Sequence, residues 1–170
     1  MNTELYWIEY SWPGRLAIAA RPRGGEWLDD EVSAWRRAGL DVVVSLLTRD
    51  ESAELELSAE ALSCKTKRIQ FLSFPIADRG VPISRKAAVD FLKAMEELLG
   101  QGKSIAVHCR QGIGRSALIA AALLVMSGER PESAFQRVSA ARGIAVPETA
   151  EQRAWVEDFA RKILSPTIKK

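Results

Sequence analysis

The segment from Lys103 to Ser127 constrains the fold more than any other part of the chain. Ser104 to Val107 is a short apolar run that follows a Gly-Gln-Gly turn, which predicts a buried strand. A run of alanine and leucine that ends near Gly128 predicts a buried helix. Between them lies a tight loop with a cysteine, two glycines and an arginine. The segment therefore predicts a strand, a loop of phosphate-binding size and a helix N-terminus.

This loop combines a nucleophile with groups that bind anions. Gly112 and Gly114 permit backbone dihedrals that other residues resist, so that successive N–H groups can point inward at an anion. The helix that starts near Arg115 adds free N–H donors. The guanidinium of Arg115 can bind two phosphate oxygens at once. A thiol at Cys109 is expected to react as the thiolate in this setting. The predicted phosphate-binding residues are Arg110, Gln111, Gly112, Ile113, Gly114 and Arg115.

The same residues carry a family resemblance. His108-Cys109, followed after five residues by Arg115-Ser116, resembles the signature of the cysteine-dependent protein tyrosine phosphatase superfamily. The resemblance implies that Cys109 is the catalytic nucleophile and that Arg115 binds the phosphoryl group. It also implies that Ser116 hydrogen-bonds the sulfur and that His108 orders the loop in a supporting role. The alternative interpretation is a structural cysteine before a glycine-rich turn.

The length of the chain, 170 residues, is similar to that of the small, dual-specificity-like branch of this superfamily. Gly114 stands where many dual-specificity members have serine. In this respect the loop is closer to the atypical members of that branch. Both a phosphotyrosine-only specificity and a dual specificity therefore stay open.

Cleavage of a phosphate monoester also needs a group that protonates the leaving oxygen. Asp78 lies thirty-one residues before Cys109, in a segment with Gly80 and Pro82 that predicts a loop. In the family that the signature resembles, an acid loop at about this spacing carries the catalytic aspartate. Asp78 is therefore the predicted general acid, and a simple turn residue is the alternative.

Thr149 and Gln152 resemble the Thr-x-x-Gln stretch with which tyrosine-specific members of the family place the attacking water. The resemblance implies a supporting catalytic role for Gln152. A glutamine on the solvent-facing side of a helix is the alternative.

Strands that alternate with helices predict a single α/β domain over residues 1–170, with a mostly parallel central sheet flanked by helices. The family resemblance implies a dual-specificity-phosphatase-like fold. The predicted strands are 4–10, 16–19, 41–47, 67–74 and 104–107. The predicted helices are 26–38, 50–62, 84–99, 115–128, 131–141 and 147–164.

The composition is that of an ordinary globular protein, with 47% apolar and 27% charged residues. A net charge of +2 gives little support to nucleic-acid binding. The N-terminus has no basic region followed by an apolar one, and the apolar run from Ala117 to Met126 is too short to span a membrane. We therefore expect a cytoplasmic protein without membrane association or a nucleic-acid partner, and we expect a monomer.

The chain has one histidine and two distant cysteines, which is too small a ligand set for a metal site. Neither a metal nor a cofactor is expected. Cys64 is predicted to be a buried structural cysteine, and a regulatory disulfide with Cys109 is the alternative.

Together these features predict a phosphatase that acts on phosphorylated proteins through a cysteinyl-phosphate intermediate. Phosphotyrosine is the predicted substrate group, and phosphoserine and phosphothreonine are further candidates. Gln111 and Ile113 stand at loop positions where lipid-directed relatives carry lysine, which favours a protein substrate. The alternatives are a phosphatase for phosphoinositides or RNA 5′-phosphates, and a phospho-binding module without catalysis.

Overall fold

The computed structural model describes residues 3–164, which contain five strands and seven α-helices. The strands are β1 (Tyr6–Ile8), β2 (Arg15–Ala19), β3 (Val42–Ser45), β4 (Gln70–Ser73) and β5 (Ser104–His108). The helices are α1 (Leu28–Arg37), α2 (Arg49–Glu54), α3 (Glu60–Thr66), α4 (Arg85–Gly100), α5 (Arg115–Met126), α6 (Pro131–Arg142) and α7 (Ala150–Leu164). A short 3-10 turn over Gly25–Trp27 leads into α1.

The strands form one sheet in the order β1-β2-β5-β3-β4. β1 pairs with β2 in antiparallel orientation, and the other pairs are parallel. His108, the last residue of β5, pairs with Ala19 on one side and with Ser45 on the other. The central strand therefore delivers the loop that follows it to the middle of the carboxyl edge of the sheet, where open α/β sheets bind ligands. The predicted α/β fold with a mostly parallel sheet is confirmed.

Alternate side chains of the strands face two apolar layers. Val43 and Ala106 belong to a cluster with residues of α1 and α3. Val44 and Val107 belong to a second cluster, which contains residues of α4, α5, α6 and α7. Strands that are apolar on both faces are expected of a parallel sheet covered by helices on both sides.

Helix α5 is buried on all sides, and every residue from Arg115 to Val125 is buried. Leu118, Leu123 and Leu124 have no exposed surface. The burial of each leucine stabilises the fold by about 1.5–3 kcal/mol. Among the helices of residues 3–164, none is both long and apolar enough to cross a membrane.

Two of the predicted helix boundaries are wrong. Residues 50–62 form two helices instead of one, because Glu56 has a positive φ of 58° between α2 and α3. The last helix begins at Ala150 and not at Pro147. The Thr149 hydroxyl accepts a hydrogen bond from the Gln152 N–H, and the Gln152 side chain accepts one from the Thr149 N–H. This reciprocal capping box fixes the start of α7.

A substitution at Gly14 tests how tightly the chain packs where β2 begins beside the end of α4. A Cβ atom at this position would lie 2.0 Å from the carbonyl oxygen of Lys103 and 3.0 Å from that of Leu99, and neither backbone atom can move freely. We expect Gly14→Ala to lower the free energy of unfolding by about 1–3 kcal/mol, the usual cost of overpacking. Urea denaturation measures this difference.

The matched control is Gly100→Ala at the end of α4. A Cβ atom there has no neighbour within 4 Å. Because alanine favours helix over glycine by up to about 1 kcal/mol, this variant should be as stable as the wild type or slightly more stable. Equal effects of the two substitutions would contradict the tight junction at Gly14.

Candidate active site

Three parallel strands deliver the residues of the candidate site to one edge of the sheet. β5 is followed directly by Cys109, β4 by the segment that contains Asp78, and β3 by the start of α2 with Glu51. These residues are far apart in the sequence. They meet because the strands that precede them run in the same direction and lie next to one another.

The loop from Cys109 to Gly114 curls around the thiol. The Gly112 N–H donates a hydrogen bond to Cys109 Sγ at 3.3 Å, and Ser116 Oγ also lies 3.3 Å from this sulfur. Gly112 has a φ of +73°, and a Cβ atom there would lie 2.7 Å from the backbone of Ala19. Glycine is required at this position both by its dihedral and by the close approach of β2.

Gly114, the residue before α5, has a φ of −115° and a ψ of −82°, which lies outside the main β and right-handed helical regions. A Cβ atom at Gly114 would also lie 2.8 Å from Glu148 Oε1 and 3.0 Å from Gln152 Nε2. The small size of Gly114 therefore leaves room for side chains near the start of α7.

Arg115, the first residue of α5, places a buried guanidinium beside the loop, with 2% of its side chain exposed. Its two terminal nitrogens donate hydrogen bonds to the two carboxylate oxygens of Glu51 at 2.7 and 2.9 Å. It also donates to the Ile76 carbonyl at 2.8 Å and to Asp78 Oδ1 at 3.1 Å. These four contacts fix the orientation of the guanidinium beside the loop.

Glu51 was missed in the sequence analysis. It occupies the third position of α2 and forms a capping box with Thr48. Burial alone would raise the pKa of the Glu51 carboxyl, but hydrogen bonds from Arg115 and Thr48 lower it to about 2. The Thr-x-x-Glu pattern directly after a buried strand is the signal that could have located this residue.

Asp78 lies at the mouth of the site, with 56% of its side chain exposed. Arg79, the next residue, pairs with Glu148 at 2.7 Å and has a positive φ of 61°. The segment of Asp78 and Arg79 is therefore connected at two points. Asp78 pairs with Arg115 beside the loop, and Arg79 pairs with Glu148 before α7. The structure brings Asp78 into the same pocket as Cys109, and its role as the general acid stays a prediction.

Gln152 is completely buried, so the interpretation as a solvent-facing glutamine is wrong. Its amide nitrogen donates a hydrogen bond to the Gly80 carbonyl at 3.2 Å. Gln152 is not among the residues that line the pocket, whereas Glu148 is. A role for Gln152 toward an attacking water stays a prediction, and its observed contacts hold the segment that carries Asp78.

Arg142 binds the loop from outside, and Arg110 belongs to the loop itself. Arg142, the last residue of α6, donates hydrogen bonds to the Gly112 carbonyl at 3.2 Å and to the Gln111 carbonyl at 3.4 Å. Its guanidinium also stacks over the ring of Tyr6, 4.3 Å from the centroid. Arg110, inside the loop, lies 3.4 Å from Glu51 and is partly exposed. Because a trans peptide is planar, a Gln111 carbonyl that faces Arg142 turns the Gly112 N–H to the opposite side, toward Cys109 Sγ.

His108 and Cys64 lie beneath the site. His108 Nε2 lies 2.6 Å from Glu60 Oε2, and both side chains are buried. Cys64 belongs to the apolar cluster of α1 and α3, on the other face of the sheet from the cluster that contains Cys109. Burial and the charge of Glu60 raise the pKa of the Cys64 thiol to about 12. A disulfide between the two cysteines is therefore not supported, since the thiols lie on opposite faces and Cys64 is held in its unreactive form.

The pocket above Cys109 is small and polar, with a volume of about 70 Å³. Its lining residues are Asp78, Arg79, Cys109, Arg110, Gln111, Ile113, Gly114, Arg115 and Glu148. A sulfur nucleophile at the base, a guanidinium at the side and a carboxyl at the mouth suit attack on a small tetrahedral anion. Within residues 3–164, no group of three or more histidine, cysteine or acidic side chains is placed to hold a metal ion.

The ion pair of Glu51 and Arg115 is expected to make the free energy of unfolding depend on pH. The pKa of Glu51 is about 2 in the folded protein against 4.5 ordinarily, so the pair stabilises the fold fully above about pH 4.5 and loses this effect as the pH falls toward 2. We expect Glu51→Gln to lower the free energy of unfolding at pH 7 by about 3 kcal/mol, since it leaves a buried charge with fewer partners. The difference from the wild type should shrink between pH 4.5 and pH 2, as measured by urea denaturation across this range.

Glu54→Gln is the control, because Glu54 is an exposed carboxylate on the same helix. It should leave both the stability and its pH profile nearly unchanged. A pH-independent difference between Glu51→Gln and the wild type would show that the carboxylate charge does not stabilise Arg115.

Comparison with known proteins identifies relatives over parts of the chain. The chain is 42% identical over 60 residues to "Putative tyrosine phosphatase 067L" of Invertebrate iridescent virus 3. These residues make up 34% of this chain and 25% of that protein. It is 30% identical over 91 residues to Cyclin-dependent kinase inhibitor 3 of Homo sapiens. These residues make up 52% of this chain and 42% of that protein. The chain thus spans less than half the length of these curated relatives.

Solved structures match the whole described fold. The crystal structure of kinase associated phosphatase with its catalytic-site cysteine substituted by serine superposes with a TM-score of 0.88 at 20% identity, over 97% of this chain and 98% of that one. The active form of Tk-PTP superposes with a TM-score of 0.75 at 26% identity, over 94% and 97% of the two chains. The predicted dual-specificity-phosphatase-like fold is confirmed.

A family model described as "Tc-R-P: Polymorphic toxin system, DSP-PTPase phosphatase" matches residues 17–129. The match includes the end of β2, the strands β3 to β5 and all the residues from Asp78 to Ser116 that the sequence predicts for the site. It covers more than half of the 170 residues. The chain therefore belongs to this family of the cysteine-dependent protein tyrosine phosphatase superfamily, in its atypical, dual-specificity-like branch.

Proposed function

We propose that the protein hydrolyses phosphate monoesters on proteins through a cysteinyl-phosphate intermediate. The observation that carries this proposal is the position of Cys109 Sγ. It lies at the base of an anion-sized pocket, accepts a hydrogen bond from the Gly112 N–H and is flanked by the buried Arg115. Phosphotyrosine is the proposed substrate group, with phosphoserine and phosphothreonine as further candidates.

In the first step the Cys109 sulfur attacks phosphorus, so that an S–P bond forms while the P–O bond to the substrate breaks. Arg115 and the loop N–H groups bind the three phosphoryl oxygens, whose charge the loose transition state spreads among them. Asp78 gives its proton to the leaving oxygen, which departs as an alcohol or a phenol. The exposed position of Asp78 at the pocket mouth suits contact with the leaving group.

In the second step a water molecule attacks phosphorus and the S–P bond breaks. The electron pair of this bond returns to the sulfur, and Ser116 Oγ at 3.3 Å is placed to donate a hydrogen bond to the thiolate. Asp78, now a carboxylate, takes a proton from the water. The products are inorganic phosphate and the regenerated enzyme.

A protein substrate is favoured by the loop sequence and by the relatives. The side chains of Gln111 and Ile113 line the pocket, so that no lysine stands at these positions to bind a second phosphate of a phosphoinositide. The human relative is named as an inhibitor of a cyclin-dependent kinase, and the structural relative as a kinase associated phosphatase. These names support a phosphoprotein substrate, which a panel of phosphotyrosine, phosphoserine and phosphothreonine peptides would test directly.

Cys109→Ser should abolish the hydrolysis of p-nitrophenyl phosphate and of phosphotyrosine peptides while the fold is kept, because serine is a far weaker nucleophile in this setting. The initial rate of nitrophenolate release measures the effect. Cys64→Ala, which removes the other thiol, is the control and should retain turnover. Activity of Cys109→Ser within tenfold of the wild type would refute the cysteinyl-phosphate mechanism.

Asp78→Asn should slow substrates with poor leaving groups more than substrates with good ones. A serine alkoxide needs the proton of the general acid, which typically contributes about 10²–10⁴-fold, whereas nitrophenolate needs it much less. The kcat/KM values for a phosphopeptide and for p-nitrophenyl phosphate give the two effects.

Asp90→Asn is the matched control, since Asp90 is an exposed carboxylate that pairs with Lys86 on α4. It should leave both substrates unaffected. If Asp78→Asn slows the two substrates equally, the general acid is a different residue, and Glu148 in the pocket lining would be tested next.

A further inference from the structure

The buried pair of Glu60 and His108 takes no part in the mechanism proposed above. Glu60 is the first residue of α3, and its Oε2 atom lies 2.6 Å from His108 Nε2. The side chains are 2% and 1% exposed. The ring of Trp35 stacks beside the imidazole, with 6.1 Å between the centroids. Water is therefore excluded from a short hydrogen bond one residue away from the nucleophile.

The second ring nitrogen of His108 also faces an acceptor. His108 Nδ1 lies 3.4 Å from the carbonyl oxygen of Cys109. A neutral imidazole carries only one N–H, so it can donate to the Glu60 carboxylate or to this carbonyl, but not to both. Both contacts are satisfied when the pair holds one additional proton, either on the imidazole or on the Glu60 carboxyl. In each case an N–H on Nδ1 points at the Cys109 carbonyl.

We propose that Glu60 is a positioning residue for the nucleophile, which acts through His108. Glu60 keeps the imidazole in the state that donates from Nδ1, and this donation fixes the peptide between Cys109 and Arg110. Because a trans peptide is planar, a carbonyl held toward His108 turns the Arg110 N–H to the opposite side. Glu60 thereby orients the first peptide of the phosphate-binding loop.

Packing alone does not explain a carboxyl group at this position. The Glu60 side chain is 2% exposed, and a buried carboxyl costs free energy unless it is paired. An apolar residue of similar volume would fill the same space at a lower cost. Within residues 3–164, the side chain that forms a hydrogen bond with the Glu60 carboxyl is His108, whose other nitrogen contacts the loop.

The protonation of His108 can be observed directly, because it is the only histidine in the sequence. We would label the protein with ¹⁵N-histidine and record long-range ¹H–¹⁵N spectra of the ring at pH 7. The expected result is a proton on Nδ1 that exchanges slowly with solvent. A ring protonated on Nε2 alone would overturn the proposal, since Nδ1 could then not donate to the Cys109 carbonyl.

Two variants separate positioning from packing. In Glu60→Gln the amide can donate to Nε2, so the Nδ1 proton should persist and kcat/KM should stay within about threefold of the wild type. In Glu60→Leu the imidazole loses its partner, so the Nδ1 signal should exchange faster, and kcat/KM should fall about tenfold, as expected for the loss of one hydrogen bond. Glu31→Gln, which alters a buried carboxylate of α1 that pairs with Arg23, is the control and should change neither readout.

The catalytic part of this inference rests on the phosphatase function proposed above, whereas the ring spectrum does not. Absence of turnover in the wild type would refute the proposed function. The ring spectrum of His108 would still test whether Nδ1 carries a proton. A wild-type rate in Glu60→Leu, measured on folded protein, would overturn the positioning role even with the expected spectrum. If Glu60→Leu does not fold, the wild-type and Glu60→Gln spectra still decide whether Nδ1 donates.

Discussion

A buried guanidinium holds together the ends of three parallel strands. Arg115 begins α5 directly after the loop of β5, and it contacts Glu51 after β3 and both Ile76 and Asp78 after β4. A charge with 2% exposure requires such partners, because an unpaired ion in the interior is strongly destabilising. The same contacts that satisfy Arg115 set the distance between the nucleophile and the acid segment. Stability of the fold and geometry of the pocket thus depend on one side chain.

The part of the site that could be predicted from sequence is the part that is contiguous in sequence. A strand, a loop and a helix follow one another from Ser104 to Met126, so the loop residues and their approximate geometry follow from local patterns. Glu51 and Arg142 contact the loop and its arginine from other helices, Glu60 contacts His108 beneath the loop, and none of the three was predicted. The Thr-x-x-Glu pattern marks Glu51 as a residue at the start of α2, but its contact with Arg115, like the positions of Glu60 and Arg142, depends on how the helices pack.

The wrong expectations have a similar origin. A helical composition over residues 50–62 does not reveal that Glu56 adopts a positive φ, and the break between α2 and α3 is what allows Glu51 and Glu60 to face different parts of the site. The role that the family resemblance implies for Gln152 in the Thr-x-x-Gln stretch stays a prediction, and the same spacing also predicts a helix cap. In the structure Gln152 caps α7 through Thr149, and it also contacts the Gly80 carbonyl in the segment that carries Asp78.

The separation of the two cysteines by the sheet decides how oxidative damage to the nucleophile could be repaired. A reactive thiolate is readily converted to sulfenic acid, which is rescued when a nearby thiol condenses with it. Cys64 is the other thiol in the sequence, and it lies on the far face with its pKa raised to about 12. Oxidised Cys109 would therefore depend on a thiol from outside the chain, such as glutathione, and its recovery would follow the redox state of the surroundings.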